Sequence, residues 1–258
     1  MMVNPRKIFD EIVNIFPNPT SISIVSWVRM SGTNLMGERG EGKEISRGKR
    51  SILETLSRAY SPVNLREVFN RASNLLDMQK SALQSCGYHA FDFSATTKSR
   101  LIVGMASQVF GKQIFEVGLS WDPLLNLPYI PGSSLKGAFR SYLETEKPDF
   151  VNLLGSRDEA SSIIFLNSYP VNSRGSLIVP EVTTPIYMEQ EMRIRETEAE
   201  PRPVLYPVIN RNVTFRIVVG VKNKKMLEDQ LRHFLGEVLK RGIGAKTLVG
   251  YGFMERIQ

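Results

Sequence analysis

A chain of 258 residues with 42% hydrophobic and 23% charged residues holds enough material for one large domain or two small ones around a proper core. One cysteine (Cys86) excludes an internal disulfide, two histidines (His89, His233) argue against a zinc site, and no apolar run or N-terminal apolar block suits a membrane span or signal peptide, so a reducing, cytoplasmic location is expected. Thirty-three Lys and Arg against 26 Asp and Glu leave a net charge of +7, which favours a polyanionic partner, nucleic acid before any other, with charge kept only for solubility as the competing reading.

In chain order, Asn4, Pro5 and the pattern Ile8, Phe9, Ile12, Val13, Phe16 predict a short helix ended by Pro17. Ser21–Met30 is rich in β-branched residues and predicts a strand. Across Ser31–Arg50, Gly32, Gly37, Gly40, Gly42 and Gly48 alternate with both signs of charge, the composition of a solvated, basic loop in which Arg47, Lys49 and Arg50 are within reach of phosphates. Ile52, Leu53, Leu56, Ala59 and Tyr60 then mark a helix stopped at Ser61-Pro62. Asn64 and Glu67 have capping-box spacing for the next helix, whose buried face is Leu65, Val68, Phe69, Ala72, Leu75 and Leu76. Residues 1–90 therefore form a mainly helical extension.

From Phe91 the chain turns to strands and glycine. Leu101–Met105 predicts a buried strand, followed by a loop through Gly111 and Gly118. Ser162–Leu166 predicts another strand, and Gly175 separates it from Leu177–Val182 as a hairpin partner. Ile186–Pro203, dense in charge from Glu189 to Glu200, is expected to project, within an insertion at about residues 169–211. Val213–Val221 predicts a strand; Met226, Leu227, Leu231, Phe234, Leu235 and Val238 an amphipathic helix; Tyr251–Ile257 a last strand. With the helix at Leu135, the order over residues 91–258 is strand-helix-strand-strand-helix-strand, an α+β, modified ferredoxin-like plan, which by itself decides no function.

Two stretches carry chemistry. In Leu127–Arg140, Pro128 and Pro131 stiffen the chain, Gly132 turns it, and Ser133 or Ser134 is placed to cap a helix beginning at Leu135. Leu135, Ala138, Phe139 and Tyr142 give that helix a buried face, with Lys136 and Arg140 one turn apart on another. Free N–H groups, hydroxyls and two cations suit a phosphate; a capped helix with solvated charges is the plainer reading. Gly137 costs stability inside a helix, which suggests close approach to the backbone there. In the second stretch, Gly242–Gly252, Gly242 follows Lys240 and Arg241 as a C-cap, but one cap does not require Gly244, Gly250 and Gly252 too. Such glycines permit φ > 0 and anion-holding nests. Lys246 and Thr247 add charge and a hydroxyl, and the Tyr251 ring is placed to stack on a base. A Walker A loop is excluded because Ala245, not glycine, precedes Lys246 and the loop runs from helix to strand. No cofactor is expected.

Gly118-Leu-Ser-Trp-Asp-Pro-Leu-Leu-Asn-Leu-Pro-Tyr-Ile-Pro-Gly-Ser-Ser-Leu-Lys-Gly137 and Gly242-Ile-Gly-Ala-Lys-Thr-Leu-Val-Gly-Tyr-Gly252, in that order, resemble the central and C-terminal motifs of the RAMP superfamily of CRISPR-associated proteins, most closely the subunit-six family of type III-B (Cmr) effector complexes. The resemblance covers about Ala95–Gln258. It implies a ferredoxin-like domain that binds guide RNA (crRNA) near its 3′ end, without catalysis, in a cytoplasmic antiviral ribonucleoprotein. The implied partners are a complementary target RNA, other Cmr-type RAMP subunits and a small helical subunit. Ile186–Pro203 falls where relatives carry a projecting β-hairpin. The RNA contacts expected are Ser133, Ser134, Lys136, Gly137, Arg140, Gly242, Gly244, Lys246, Thr247, Gly250, Tyr251 and Gly252. The resemblance leaves one enzymatic alternative, metal-dependent cleavage of target RNA by an aspartate ahead of the Ile-Pro-Gly motif. Here that position falls at Glu116 or Val117, so the family's acid is missing. Asp122 remains, but it precedes Pro123 and suits a turn. No pattern around His89 or His233 supports histidine acid/base chemistry.

Overall fold

The computed structural model describes residues 15–37, 42–104, 109–110, 114–115, 117–184, 203–222 and 228–257, with backbone alone at 34–37 and 42–44. Two ten-residue strands form its centre. β1 (Tyr88–Thr97) and β8 (Val213–Lys222) run antiparallel, from Tyr88 opposite Lys222 to Thr96 opposite Thr214. β9 (Met254–Ile257) extends the sheet beyond β1, and β4 (Ile163–Phe165) with β5 (Tyr169–Ser173) extends it beyond β8. The order β4-β8-β1-β9, with α4 (Gly132–Glu146) between β1 and β4 and α5 (Glu228–Arg241) between β8 and β9, is the ferredoxin-like plan. Two small ribbons complete it: β2 (Trp121–Asp122) with β3 (Leu127–Pro128), and β6 (Ile178–Thr183) with β7 (Val204–Ile209). Among the described residues no helix is long and apolar enough to cross a membrane.

Strand alternation separates the two faces of the sheet. Phe91 and Phe93 face α5 and the chain end, with the Arg232 guanidinium 4.7 Å from the Phe91 ring and that of Arg256 5.8 Å from Phe93. Ala90, Asp92 and Gly220 face the other way, towards α3 (Pro62–Ser85); a side chain at Gly220 would stand 3.1 Å from Leu83 Cδ1. Arg216 joins Asp77 of α3 (2.7 Å) to Asp92 (2.6 Å), and Lys80 also reaches Asp92. Burial pushes the Asp92 carboxyl up, but the bonds and charges of Lys80 and Arg216 outweigh it and hold it below the usual range. The N-terminal extension thus covers the sheet face that α4 and α5 leave open.

Several expectations change. Ser21–Met30 is not a strand: α1 spans Ile24–Gly37, burying Ile24, Trp27, Val28 and Ser31 at helical spacing. Ser31–Arg50 is not a loop either. It holds the end of α1 and the start of α2 (Gly42–Ala59), whose buried Ile52, Leu53, Leu56 and Ala59 form one face; 38–41 lie outside the described residues. The capping box does not form. α3 starts at Pro62 after an extended Ser61, and the Asn64 amide donates to the Ala59 carbonyl (3.1 Å). Leu101, Ile102 and Val103 are buried without forming a strand, Leu101 making a single bridge to Ile209. Leu177–Val182 pairs with β7 rather than with β4, and β5 was not anticipated. The last strand starts at Met254, not Tyr251. The helix expected over Asn4–Phe16, the projection at Ile186–Pro203 and the positions of Met105, Met226 and Leu227 fall largely or wholly outside the described residues.

Asn126 fastens the first helix of the extension. Asn126, 9% exposed and left-handed (φ 53°), accepts from the Ile24 N–H (3.2 Å) and donates to the carbonyls of Pro19 (3.0 Å) and Ile22 (2.8 Å). Its own carbonyl accepts from the buried Tyr60 hydroxyl (2.6 Å). Asn126→Ala leaves these buried groups unpaired and places alanine where φ is positive, so a loss of about 1–3 kcal/mol or more is expected. Urea unfolding checks it, together with limited proteolysis, where cleavage within residues 15–37 should precede global unfolding. An unchanged midpoint would show that the fastening lies elsewhere.

Candidate nucleic-acid interface

The helix of the central motif begins three residues earlier than expected. Pro131 is its N-cap, its carbonyl accepting from the N–H groups of Ser134 (2.9 Å) and Leu135 (3.2 Å). The Gly132 N–H donates to Asn167 Oδ1 (3.0 Å), and a β-carbon on Gly132 would lie 2.1 Å from the Phe165 carbonyl oxygen. Ser133 and Ser134 therefore sit in the first turn and neither caps it; Ser133 is exposed and Ser134 half-buried. Lys136 has no carboxylate partner among the described residues, and open space surrounds Gly137. Arg140 is committed elsewhere. It donates to the carbonyls of Gly155 (3.0 Å) and Leu154 (3.5 Å), closing the 3₁₀ turn Pro148–Leu154, and lies 3.8 Å from Glu144.

The glycine loop is stitched to residues 98–102. The Ala245 N–H donates to the Ile102 carbonyl (2.8 Å), Gly252 to Arg100 (2.8 Å), Ile243 to Gly252 (3.0 Å), and Lys98 to Phe253 (2.8 Å). Added β-carbons would meet the Ile102 oxygen at 2.2 Å from Gly244 and the Ile243 oxygen at 2.0 Å from Gly252. These two glycines are thus required by the chain's own backbone, whereas Gly250 (φ 98°) has open space. Tyr251 is not a free stacking platform. Its hydroxyl donates to Glu181 (2.9 Å) and its ring packs beside Ile102, Tyr206 and Val208. Burial raises Glu181, but Arg100 (2.7 Å) and Tyr251 more than offset this and leave it below the carboxylate range; Tyr251 is pushed up to about 12 by burial and by Glu181.

Lys246 is held differently. Left-handed at φ 59°, it donates from Nζ to Thr183 Oγ1 (2.9 Å) and the Tyr206 hydroxyl (3.0 Å), and lies 5.2 Å from the Tyr206 ring centre. Both acceptors are neutral, so among the described residues one of its three N–H donors and its charge are left without a partner. Neither Thr183 nor Tyr206 was singled out from sequence, since they lie 63 and 40 residues away.

Ser134, Ala138, Gly242, Ile243, Gly244, Ala245 and Thr247, with Val103 and Gly104, line an open groove of about 440 Å³. A hollow of about 210 Å³ sharing Ala138 and Gly242 adjoins it and reaches Ser141, Thr145 and Arg241. The two motifs, distant in sequence, meet in one cleft. Gly104 (φ 79°), where a β-carbon would lie 2.1 Å from Ser120 Oγ, went unnoticed although an isolated glycine in an apolar run is a signal of close approach.

Asp122 is fully employed in a turn: one oxygen accepts from the N–H groups of Leu124 (2.9 Å) and Leu125 (3.0 Å), the other from the Tyr169 hydroxyl (2.7 Å). Glu116 lies outside the described residues. His89 bonds Glu228 (2.5 Å), and His233 is exposed on α5. Among the described residues no three His, Cys, Asp or Glu side chains gather as a metal site.

The RAMP superfamily model matches residues 94–255. The chain is 34% identical over 209 residues to the CRISPR system CMR subunit Cmr6 of Saccharolobus solfataricus, covering 80% of this chain and 70% of the relative. Among solved structures, a chain in the cryo-EM structure of a Type III-B Cmr-beta bound to cognate target RNA superposes with a TM-score of 0.81 at 29% identity, over 96% of this chain and 97% of that one. That match takes in the N-terminal extension as well.

Glycines that look alike in sequence should respond oppositely to alanine. Gly252→Ala, where a β-carbon collides with backbone at positive φ, should lower the melting temperature by several degrees, while Gly137→Ala, in open space on a helix, should raise stability by about 0.5–1 kcal/mol. Thermal unfolding of both variants checks this; equal effects would contradict the packing described.

Proposed function

The chain belongs to the RAMP superfamily and is a homologue of Cmr6, and from that premise we propose that it is a non-catalytic subunit of a type III-B CRISPR effector ribonucleoprotein, binding guide RNA near its 3′ end in antiviral defence. The observation that carries the reading is the groove between the start of α4 and the glycine loop, beside an ammonium that has no carboxylate partner among the described residues. RNA-binding domains built on a similar sheet stack bases on its open face. Here α3 covers that face, so the strand is led to the groove, where phosphates meet Ser134, Lys246 and backbone N–H groups, and Lys136 adds charge alongside. Open space at Gly137 leaves room for a sugar-phosphate to approach the helix. Complementary target RNA, other Cmr-type RAMP subunits and a small helical subunit complete the assembly in this reading, and its place is the cytoplasm. Asp122 belongs to the scaffold rather than to a metal-dependent nuclease.

Lys136→Glu with Lys246→Glu should weaken binding of labelled single-stranded RNA and reduce the slope of log K against log salt by about 1.4, since each phosphate contact on a single strand contributes about 0.7. Fluorescence anisotropy at several salt concentrations measures both, and an unchanged affinity and slope would count against the groove. Asp122→Ala, assembled with partner subunits and supplied with a divalent metal, should leave the pattern of target cleavage unchanged while lowering the melting temperature. Loss of one regularly spaced cut would make Asp122 catalytic.

A further inference from the structure

The tip of the glycine loop is apolar and bare. Leu248 is fully exposed and Val249 is 71% exposed, both on the 3₁₀ turn Thr247–Val249. Single exposed leucines are common and need no explanation. This one stands on a turn that the protein holds in place. Lys246 is left-handed, a conformation that costs a non-glycine residue free energy, and its side chain is pinned by Thr183 and Tyr206. The Lys246 carbonyl accepts from the N–H groups of Val249 (3.1 Å) and Tyr251 (3.2 Å), and Thr247 accepts from Gly250 (3.1 Å), whose own φ is 98°. None of this buries Leu248. The arrangement instead displays it one residue beyond Thr247, which lines the groove, and two beyond the uncompensated ammonium.

We infer that Leu248 and Val249 form an apolar wedge that packs against unstacked nucleobases of a single RNA strand whose phosphates lie in the groove; the inference rests on the RNA-binding reading above. A strand held by its phosphates turns its bases away from the cations, and apolar side chains that enter between bases unstack them. The aromatic ring of the loop itself cannot serve, because Tyr251 is tied to Glu181 and packed against the cluster of Ile102, Tyr206 and Val208. The wedge takes its place. A protein partner fits less well: a stable interface buries about 800 Å² on each side, whereas this tip offers two side chains bordered by a lysine, a threonine and glycines. The face of a base matches that size and that border.

The test uses the full chain and a single-stranded RNA carrying 2-aminopurine, whose emission rises on unstacking, at one position after another. Binding should raise the emission several-fold at one or two positions. Leu248→Ser with Val249→Ser, both at exposed sites and compatible with folding, should abolish that rise and weaken affinity several-fold while leaving the salt slope unchanged, because the wedge carries no charge. If the wild-type chain binds RNA with no rise at any position, or if the double variant keeps the rise, the wedge is overturned and the groove stands. If the double variant keeps the rise but loses a partner subunit in sedimentation, the tip is a protein contact. If the wild-type chain does not bind RNA, the functional reading falls and the wedge with it.

Discussion

The structure depends on a set of backbone hydrogen bonds between residues 98–102 and the glycine loop, formed at a distance that only glycine permits. Gly244 and Gly252 each lie where any β-carbon would overlap a carbonyl oxygen, and the carbonyls of Arg100, Ile102 and Gly252 accept from loop N–H groups. These bonds fix where α5 ends and bring β9 beside β1. They also hold the loop against the segment 101–104, so that Val103 and Gly104 form one wall of the groove and the first turns of α4 another. Buried backbone must be paired. Here the pairing of one loop sets the position of the candidate site.

A second constraint follows from the extension. Two-layer ferredoxin-like sheets expose one face, and this chain closes that face with α3, held by Leu76 and Leu83 in contact with apolar surface and by the Asp77-Arg216-Asp92-Lys80 chain of charges. Asn126 fastens the first helix of the extension to the turn between β2 and β3. Both faces of the sheet are therefore covered by the chain's own helices. Much of the positive charge nearby is already spent: Arg100 on Glu181, Arg241 on Glu146, Lys240 on Glu237 and Lys98 on Glu255.

What the sequence revealed depended on whether the cause was local. Val213–Val221 and the helix through Leu231, Phe234, Leu235 and Val238 were legible because their periodicity and burial agree. Ser21–Met30 was misread because its β-branched residues mask the helical spacing of Ile24, Trp27 and Val28, and because the group that receives the Ile24 N–H is Asn126, 102 residues away. The meeting of the two stretches agrees with the motif reading, while the partners of their side chains were not legible. Both motifs were identified and do share a groove, yet Arg140 and Tyr251 were assigned to RNA when distant partners, the Gly155 carbonyl and Glu181, hold them. The hydroxyls that hold Lys246 come from β6 and β7: Thr183 lies one residue past the strand expected at Leu177–Val182, and Tyr206 lies in a stretch where no strand was expected.

The contrast between two cations that reach the β6-β7 ribbon gives the arrangement its logic. Arg100 bonds Glu181, a carboxylate whose side chain is only 11% exposed, and the pair, with Tyr251, locks the β6-β7 ribbon to the loop. A guanidinium matched to a carboxylate is a fastening, with little field left over. Lys246 reaches the same ribbon through Thr183 and Tyr206, which are as directional as a carboxylate but carry no charge. Two hydroxyls therefore aim the ammonium without neutralising it, and the cost of the left-handed backbone at this residue is met by bonds that leave its charge outward. With neutral acceptors at these two positions, Lys246 is not one more structural ion pair among the described residues.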